Sequence, residues 1–450
     1  MKKIKDSAFK HLAGDHLFRR ILKNSSFLLT GDAVGSGIRL ICMALTARVL
    51  GVEFFGVLVL IQTYVGVVDR LINFQCWQAV IRFGASCVNE PDRFKKLIRY
   101  TVKVELATSA AATCLTILLS PAIVRWFGWE KAIIWMIVFY SPVTLFNLTG
   151  TSIGVLRLFD QYRRLGLQRI YSAVFKLAGI LALVVFGGGI WGFLFVWMVT
   201  SVVEYLLLGW FAWITLRERG MGDFLRGDSS SSPPNDKSLF RFMVITNLHG
   251  SVRMSSREVD TLIVGWLIGD VAAGMYKVAK LFSLILSKLS DPIYEVVYPE
   301  LARLVVEGRR KAMILLMGKS ALLGGGLALS VWFTFYVFGS NIIHLTVGPE
   351  FLNVLGALLW YMGAIVLASA GLPLSPALLA MGRPALILCV DVGSTILYYC
   401  ALFGFIMFGS LGIEGAGAAY LVYYVLWSLG MLACLVVLIS RKNIHILDNA

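Results

Sequence analysis

Apolar runs of about 20 residues, long enough to cross a bilayer as helices, recur from one end of the chain to the other. They predict twelve spans, near 27–47, 55–80, 101–124, 132–155, 170–186 and 193–216, then 241–267, 273–291, 313–337, 354–380, 385–408 and 416–439. The connections on one side, among them "GGGIWG", "IGDVAAG" and "GSLGIEG", are too short to fold as a receptor or catalytic domain. The expected fold class is therefore an all-α polytopic membrane protein with about 12 transmembrane helices. A flexible Ser- and Pro-rich stretch, "RERGMGDFLRGDSSSSPPNDKS", separates six spans from six. It sets the expected boundaries: an N-lobe over 27–216, a linker over 217–240, a C-lobe over 241–440 and a short tail over 441–450. Residues 1–26 read differently. They lack the compact apolar core and cleavage site of a secretory signal. "AFKHLAGDHLFRRILK" places Phe9, Leu12, Phe18, Ile21 and Leu22 on one face with basic residues opposite, the pattern of an amphipathic helix lying at the interface.

Composition agrees with this reading. The chain is 58% hydrophobic and 15% charged, with a mean hydropathy of +0.78, whereas soluble domains carry about 25% charged residues. A net charge of +15 invites a nucleic-acid partner, but its distribution argues otherwise. With the N-terminus inside, the cytoplasmic segments hold nearly all the loop Lys and Arg, against Arg48, Arg125 and Lys131 on the opposite side. That asymmetry is the positive-inside signal and places both termini in the cytoplasm. Most of the charge is topological.

The two halves share a pattern. "LGVEFFGVL" (50–58) and "IGDVAAGMY" (268–276) superpose Gly51 on Gly269 and Gly56 on Gly274. The same register places Arg39 on Arg257, Gln62 on Lys280, Arg70 on Lys288 and Asn73 on Asp291. Parallel repeats of this kind are common in transporters. Helical spacing then aligns polar stripes: Asp32, Ser36 and Arg39 in span 1, and Gln62, Gly66, Asp69 and Asn73 in span 2 with Arg70 beside them. Span 7 carries Thr246, Gly250, Arg253, Arg257 and Asp260 on one face. Span 8 carries Lys280, Ser287 and Asp291 with Lys288 adjacent.

A charge at the bilayer centre costs roughly 3 kcal/mol on insertion scales, so such residues face a bundle interior or a wet cavity. A guanidinium stays protonated there, and its fork matches phosphate oxygens. An excess of central cations suits an anionic guest. The alternative is structural: Asp69 with Arg70, and Arg257 with Glu258 and Asp260, would form ion pairs that hold helices together. Lys103, Glu105, Lys176, Lys277 and Lys319 lie near span ends, where long side chains snorkel to the interface. Glu204 is a lone mid-span carboxylate, open to a proton or cation role or to a buried hydrogen bond. Trp126, Trp129 and Trp191 read as interfacial anchors. Seven scattered cysteines and five dispersed histidines show neither disulfide nor metal-ligand spacing. No phosphate loop or HExxH motif appears, so neither an enzyme nor a cofactor is expected.

The residues also resemble a known family. "NSSFLLTGDAVGSGIRLICMALTARVLGVEFFGVLVLIQTYVGVVDRLINFQCWQAVIRFG" (24–84) is similar to the opening of Wzx-type polysaccharide (O-antigen or capsule) flippases of the MOP exporter superfamily, and "DTLIVGWLIGDVAAGMYKVAKL" (260–281) with "VYPELARL" (297–304) resembles the opening of their second half. The resemblance implies two six-helix lobes forming a V-shaped central cavity. It implies a flippase that moves undecaprenyl-pyrophosphate-linked oligosaccharide from the cytoplasmic to the outer leaflet of the bacterial inner membrane by alternating access. A polysaccharide polymerase and a chain-length regulator are the partners implied. On this basis Arg39, Arg253 and Arg257 are the expected pyrophosphate ligands, with Arg70, Lys280 and Lys288 adding cationic field. Asp69, Glu204 and Asp260 are candidates for ion coupling. The competing function is a multidrug or cation efflux antiporter of the same superfamily, which would want an acidic cavity with aromatic walls.

Overall fold

Apolar runs become helix throughout, and among the described residues there is no strand. The computed structural model describes residues 2–225, 236–254, 258–381, 383–409 and 411–440. Side chains are described outside residues 2–29, 236, 245, 248–254, 285, 287–296, 298, 299, 302, 306 and 384. The helices are α1 (Lys2–Ile72), α2 (Trp77–Gly84), α3 (Pro91–Phe127), α4 (Ala132–Tyr140), α5 (Pro142–Leu145), α6 (Thr149–Leu158), α7 (Tyr162–Phe186), α8 (Ile190–Arg217), α9 (Asp236–Met254), α10 (Asp260–Leu267), α11 (Asp270–Val306), α12 (Arg310–Thr346), α13 (Leu355–Ala370), α14 (Leu374–Ala380), α15 (Pro384–Met407) and α16 (Gly412–Ser440).

Their ends follow from local chemistry. Pro91 and Pro384 open α3 and α15, where the missing N–H leaves no bond unmade. Gly128 closes α3 in the left-handed region (φ 69°), with the Trp129 N–H returning to the Val124 carbonyl at 2.9 Å. Gly51 interrupts α1 with φ 71° and ψ 176°, and Gly269 precedes α11 with φ 120° and ψ 174°. These form one of the two glycine pairs that the internal repeat superposes, and both occupy backbone conformations that a Cβ disfavours.

Among the described residues, nine segments are long and apolar enough to cross a membrane. The first, Thr30–Gly84, is 55 residues long and contains the first two predicted spans. The seventh predicted span falls on α9 and α10, with 255–257 outside the described residues, and the eighth falls on α11. Neither is among the nine. Phe408 and Phe186 are 90% and 85% exposed, an arrangement suited to lipid and unfavourable in water.

The chain forms two compact units, residues 1–46 with 61–259 and residues 47–60 with 260–450. In the first, α1 lies against α7 with no side chain between them: a Cβ on Gly31 would collide with the Gly166 backbone. The apolar core of this unit joins Val80 of α2, Phe94 and Ile98 of α3, Leu156 of α6 and Met243 of α9. In the second unit, Leu301, Met313, Leu378 and Leu435 meet from α11, α12, α14 and α16. These units cut the chain differently from the lobes drawn at 27–216 and 241–440. Leu239 and Met243 bury themselves in the first unit's core. Phe55 packs edge-on against Phe351 at 6.0 Å, which ties 47–60 to the second unit.

Candidate functional site

Asp32, Ser36 and Arg39 project from one face of α1, as helical spacing requires. Arg39 Nη2 donates to Ser36 Oγ at 3.0 Å and lies 3.9 Å from Asp32 Oδ1. Arg169 of α7 approaches the same carboxylate oxygen at 2.7 Å. The close helix contact makes this possible, since a Cβ on Gly35 would sit 3.2 Å from the Arg169 carbonyl oxygen. Further along α7, the Lys176 ammonium stands 4.2 Å from the centre of the Trp197 ring, within electrostatic reach of Glu204 and Arg39. Gln168 Nε2 donates to the Glu204 carbonyl at 3.3 Å. Three cations, Arg39, Arg169 and Lys176, thus gather with two carboxylates, Asp32 and Glu204. Arg39 stays 39% exposed and keeps N–H donors to offer a ligand.

A second polar group occupies the same unit. Asp69 Oδ2 accepts from Asn147 Nδ2 at 2.6 Å and Asp69 Oδ1 from Asn73 Nδ2 at 3.1 Å. Asn73 Oδ1 accepts from Thr108 Oγ1 at 3.2 Å. Arg70 lies 3.7 Å from Glu258 and within electrostatic reach of Asp69. Glu105 is 1% exposed and its Oε1 accepts the backbone N–H groups of Cys76 and Thr151 at 3.0 and 2.7 Å.

In the second unit Asp260 is fully buried. Lys280 Nζ donates to both of its oxygens, at 2.7 and 2.9 Å. The Tyr276 and Tyr398 hydroxyls donate to Oδ2 at 2.9 and 3.1 Å. Tyr398 also packs edge-on against Tyr420, which stacks on Tyr361 at 4.1 Å. Asp260 and Lys280, assigned from sequence to different jobs, satisfy each other.

The structure therefore brings Arg39 and Glu204 into one neighbourhood, and Tyr205 of α8 lies within electrostatic reach of Glu204, Asp69 and Arg70 together. Arg257 lies outside the described residues. Arg253 is carried on α9 and Lys288 on α11, and their side chains also lie outside the described residues. Three residues need reassignment from the sequence reading. Arg169, one residue ahead of the fifth predicted span (170–186), sits inside α7. Glu105 was expected to snorkel and is buried in the first unit. Lys176, also expected to snorkel, covers a tryptophan ring beside Glu204. Testing α7 for the same stripe as α1 would have found Arg169, Ser172 and Lys176 at i, i+3 and i+7. Among the described residues no group of three or more His, Cys, Asp or Glu is placed to hold a metal.

The pattern of the family described as "Polysaccharide biosynthesis protein" matches residues 21–305. The chain belongs to that family. It is 27% identical over 346 residues to the inner membrane protein YghQ of Escherichia coli (strain K12), covering 76% of this chain and 97% of YghQ. The chain also shares its fold with solved structures. One is the lipid II flippase MurJ in an inward closed conformation, with TM-score 0.67 and 12% identity over 92% of this chain and 87% of MurJ. Another is a multidrug resistance MATE family transporter of the MOP superfamily in its inward-facing conformation, with TM-score 0.64 and 14% identity over 93% and 96% of the two chains. At these identities the likeness establishes the fold. It is the fold seen in that MATE transporter and in MurJ.

Proposed function

We propose that this chain is a flippase that carries undecaprenyl-pyrophosphate-linked oligosaccharide from the cytoplasmic to the outer leaflet of a bacterial inner membrane by alternating access, supplying surface polysaccharide biosynthesis. The observation that carries the reading is the cation excess around Arg39, in a chain of the polysaccharide biosynthesis family. A pyrophosphate offers oxygens in pairs, and a guanidinium binds such pairs bidentately. In this reading Arg39, Arg253 and Arg257 hold the pyrophosphate, and Arg169 and Lys176 strengthen the field around Arg39. Asp69, Glu204 and Asp260 remain the proposed ion-coupling carboxylates. The likeness to YghQ supports an inner-membrane location, and the excess of basic residues on one side supports cytoplasmic termini. A polymerase and a chain-length regulator are the partners such a role implies.

The test is the leaflet distribution of lipid-linked oligosaccharide in cells lacking the chain. Accumulation on the cytoplasmic side, relieved by wild type and not by Arg39→Ala at equal abundance, is the expected result. An unchanged pool would sink the reading.

One observation favours efflux of cations: the tyrosine cluster of Tyr361, Tyr398 and Tyr420 beside Asp260. Lys280 already meets that carboxylate, which leaves no acidic charge there for a cationic drug. Heightened sensitivity to cationic drugs in the deletion strain, with the lipid-linked pool unchanged, would reverse this judgement.

A further inference from the structure

Two helices of the first unit are broken inside membrane-crossing segments. α1 ends at Ile72 and α2 resumes at Trp77; α5 ends at Leu145 and α6 begins at Thr149. Broken backbone at membrane depth needs partners for its freed N–H and C=O groups, and in transporters such breaks often frame ion sites. Side chains bind these two breaks to each other. Asn73 Nδ2 donates to the Asn147 carbonyl at 2.9 Å, and the Phe74 N–H donates to Thr108 Oγ1 at 3.2 Å. The peptide N–H groups entering α2 and α6, those of Cys76 and Thr151, converge on Glu105 Oε1.

The other oxygen of that carboxyl makes no hydrogen bond of good geometry, although the Thr151 hydroxyl and the Cys76 thiol lie beside the group. Glu105 Oε2 is buried without a hydrogen bond, and so is the hydroxyl of Thr151, a residue only 3% exposed. The groups facing Glu105 are the peptide N–H and the titratable thiol of Cys76, which caps α2, and the peptide N–H and hydroxyl of Thr151 from α6. Thr108 of α3 connects the site to Asn73 and Asp69 of α1, while Met243 of α9 packs on the Cys76 sulfur at 3.4 Å. Among the described residues no ion pair reaches Glu105. Burying a carboxylate with no cation beside it is costly.

We propose that Glu105 is a proton-binding site, at which the two helix breaks are clamped more or less tightly according to whether the proton is present. A proton on Oε2 makes it a donor, and the Thr151 hydroxyl is an acceptor with a lone pair to spare. Both unpartnered groups are then satisfied while Oε1 keeps its two N–H bonds. Loss of the proton puts a full negative charge at the N-termini of α2 and α6. Both peptide bonds to Oε1 become charge-assisted, and the helix dipoles favour the anion. A metal cation fits less well. It would need several further oxygens, and a Cβ on Gly150 already has no room against Glu105 Oε1 and the Cys76 nitrogen. As a coupling site for leaflet transfer, additional to Asp69, Glu204 and Asp260, this inference rests on the flippase reading; as a proton site it stands alone.

The test uses the full chain in proteoliposomes. Infrared difference spectra across a pH titration should show a protonated-carboxyl C=O band that Glu105→Gln removes and Thr151→Val shifts. Glu105→Gln keeps an oxygen for both N–H groups, so the fold survives, and Asp69→Asn should leave the band in place. Superposable titrations of wild type and Glu105→Gln would overturn the site. So would a Glu105 band that responds to sodium at constant pH. Leaflet transfer is then measured against pH, and Glu105→Gln should shift its pH dependence. A wild type that transfers with a profile Glu105→Gln leaves intact would overturn the coupling. A wild type that transfers nothing, with the band present, would sink the flippase reading and leave the proton site standing.

Discussion

Gly56 and Gly274, the other glycine pair that the internal repeat superposes, touch each other in the folded chain. A Cβ on Gly274 would fall 2.9 Å from the Gly56 Cα, and one on Gly56 would run into the Asp270 carbonyl. The obstacle is backbone in both directions, so it cannot swing aside like a flexible side chain. Gly56→Ala and Gly274→Ala are each expected to destabilise the protein by about 1–3 kcal/mol, the range for overpacking. Gly37→Ala is the control, since a Cβ there meets nothing within 4 Å, and its effect should be neutral or mildly stabilising in a helix. Thermal unfolding of the purified protein in detergent decides the matter. Equal midpoints for Gly56→Ala and Gly37→Ala would show that the contact is looser than described.

Arg39 has both a fixed neighbour and an exposed guanidinium. Removing a charge-assisted contact to phosphate forfeits about 1.5–3 kcal/mol, so Arg39→Ala should slow leaflet transfer roughly 10- to 100-fold. Arg39→Lys should recover only part of this, because an ammonium cannot bind bidentately. Arg48 lies nine residues further along the same helix and donates to the Leu345 carbonyl at 3.0 Å. Arg48→Ala should therefore leave transfer near wild type. Transfer by Arg39→Ala at the wild-type rate would remove Arg39 from the site.

The features legible in the sequence were those that repeat along one helix or one register. Asp32, Ser36 and Arg39 share a face by spacing alone, and Gly51 and Gly269 stand out because a sharp backbone turn recurs in both halves. Contacts between helices left no such trace. Asp260 and Lys280 are on separate helices, and no periodicity pairs them. Glu105 was misread for a different reason. The apolar run begins near residue 101, which places Glu105 at a span end, but α3 starts at Pro91 and buries Glu105 about four turns in. Arg169 was misplaced in the same way, because α7 starts at Tyr162, ahead of its apolar run. Hydropathy locates the lipid-facing part of a helix, not its end.

Asp260 and Lys280 form a buried pair with two tyrosine hydroxyls completing the carboxylate's shell. Losing one partner strands a charge, and breaking such pairs typically costs about 3–5 kcal/mol. Asp260→Asn and Lys280→Met should each lower folded abundance sharply. The double variant carries neither charge and should recover most of it, a coupling that a double-mutant cycle on thermal stability would measure. Leaflet transfer by the recovered double variant is the informative readout. Wild-type transfer with neither charge present would exclude Asp260 as a coupling carboxylate, whereas a stable but inactive double variant would keep it a candidate.

The orientation of the chain rests on charge, and it can be tested by labelling. The loop between α3 and α4 carries Arg125 and Lys131, while the one between α6 and α7 lies among Arg157, Arg163, Arg164 and Arg169. With cytoplasmic termini the first loop faces outward and the second inward. Glu130 and Arg163 are both exposed, so a cysteine at either position is accessible to reagent from its own side. The seven native cysteines are all free and would first be replaced. A membrane-impermeant maleimide should then label Glu130→Cys in intact spheroplasts. It should reach Arg163→Cys only after permeabilisation. The opposite pattern would invert the topology, placing the basic loops outside and requiring the direction of proposed transfer to be reversed.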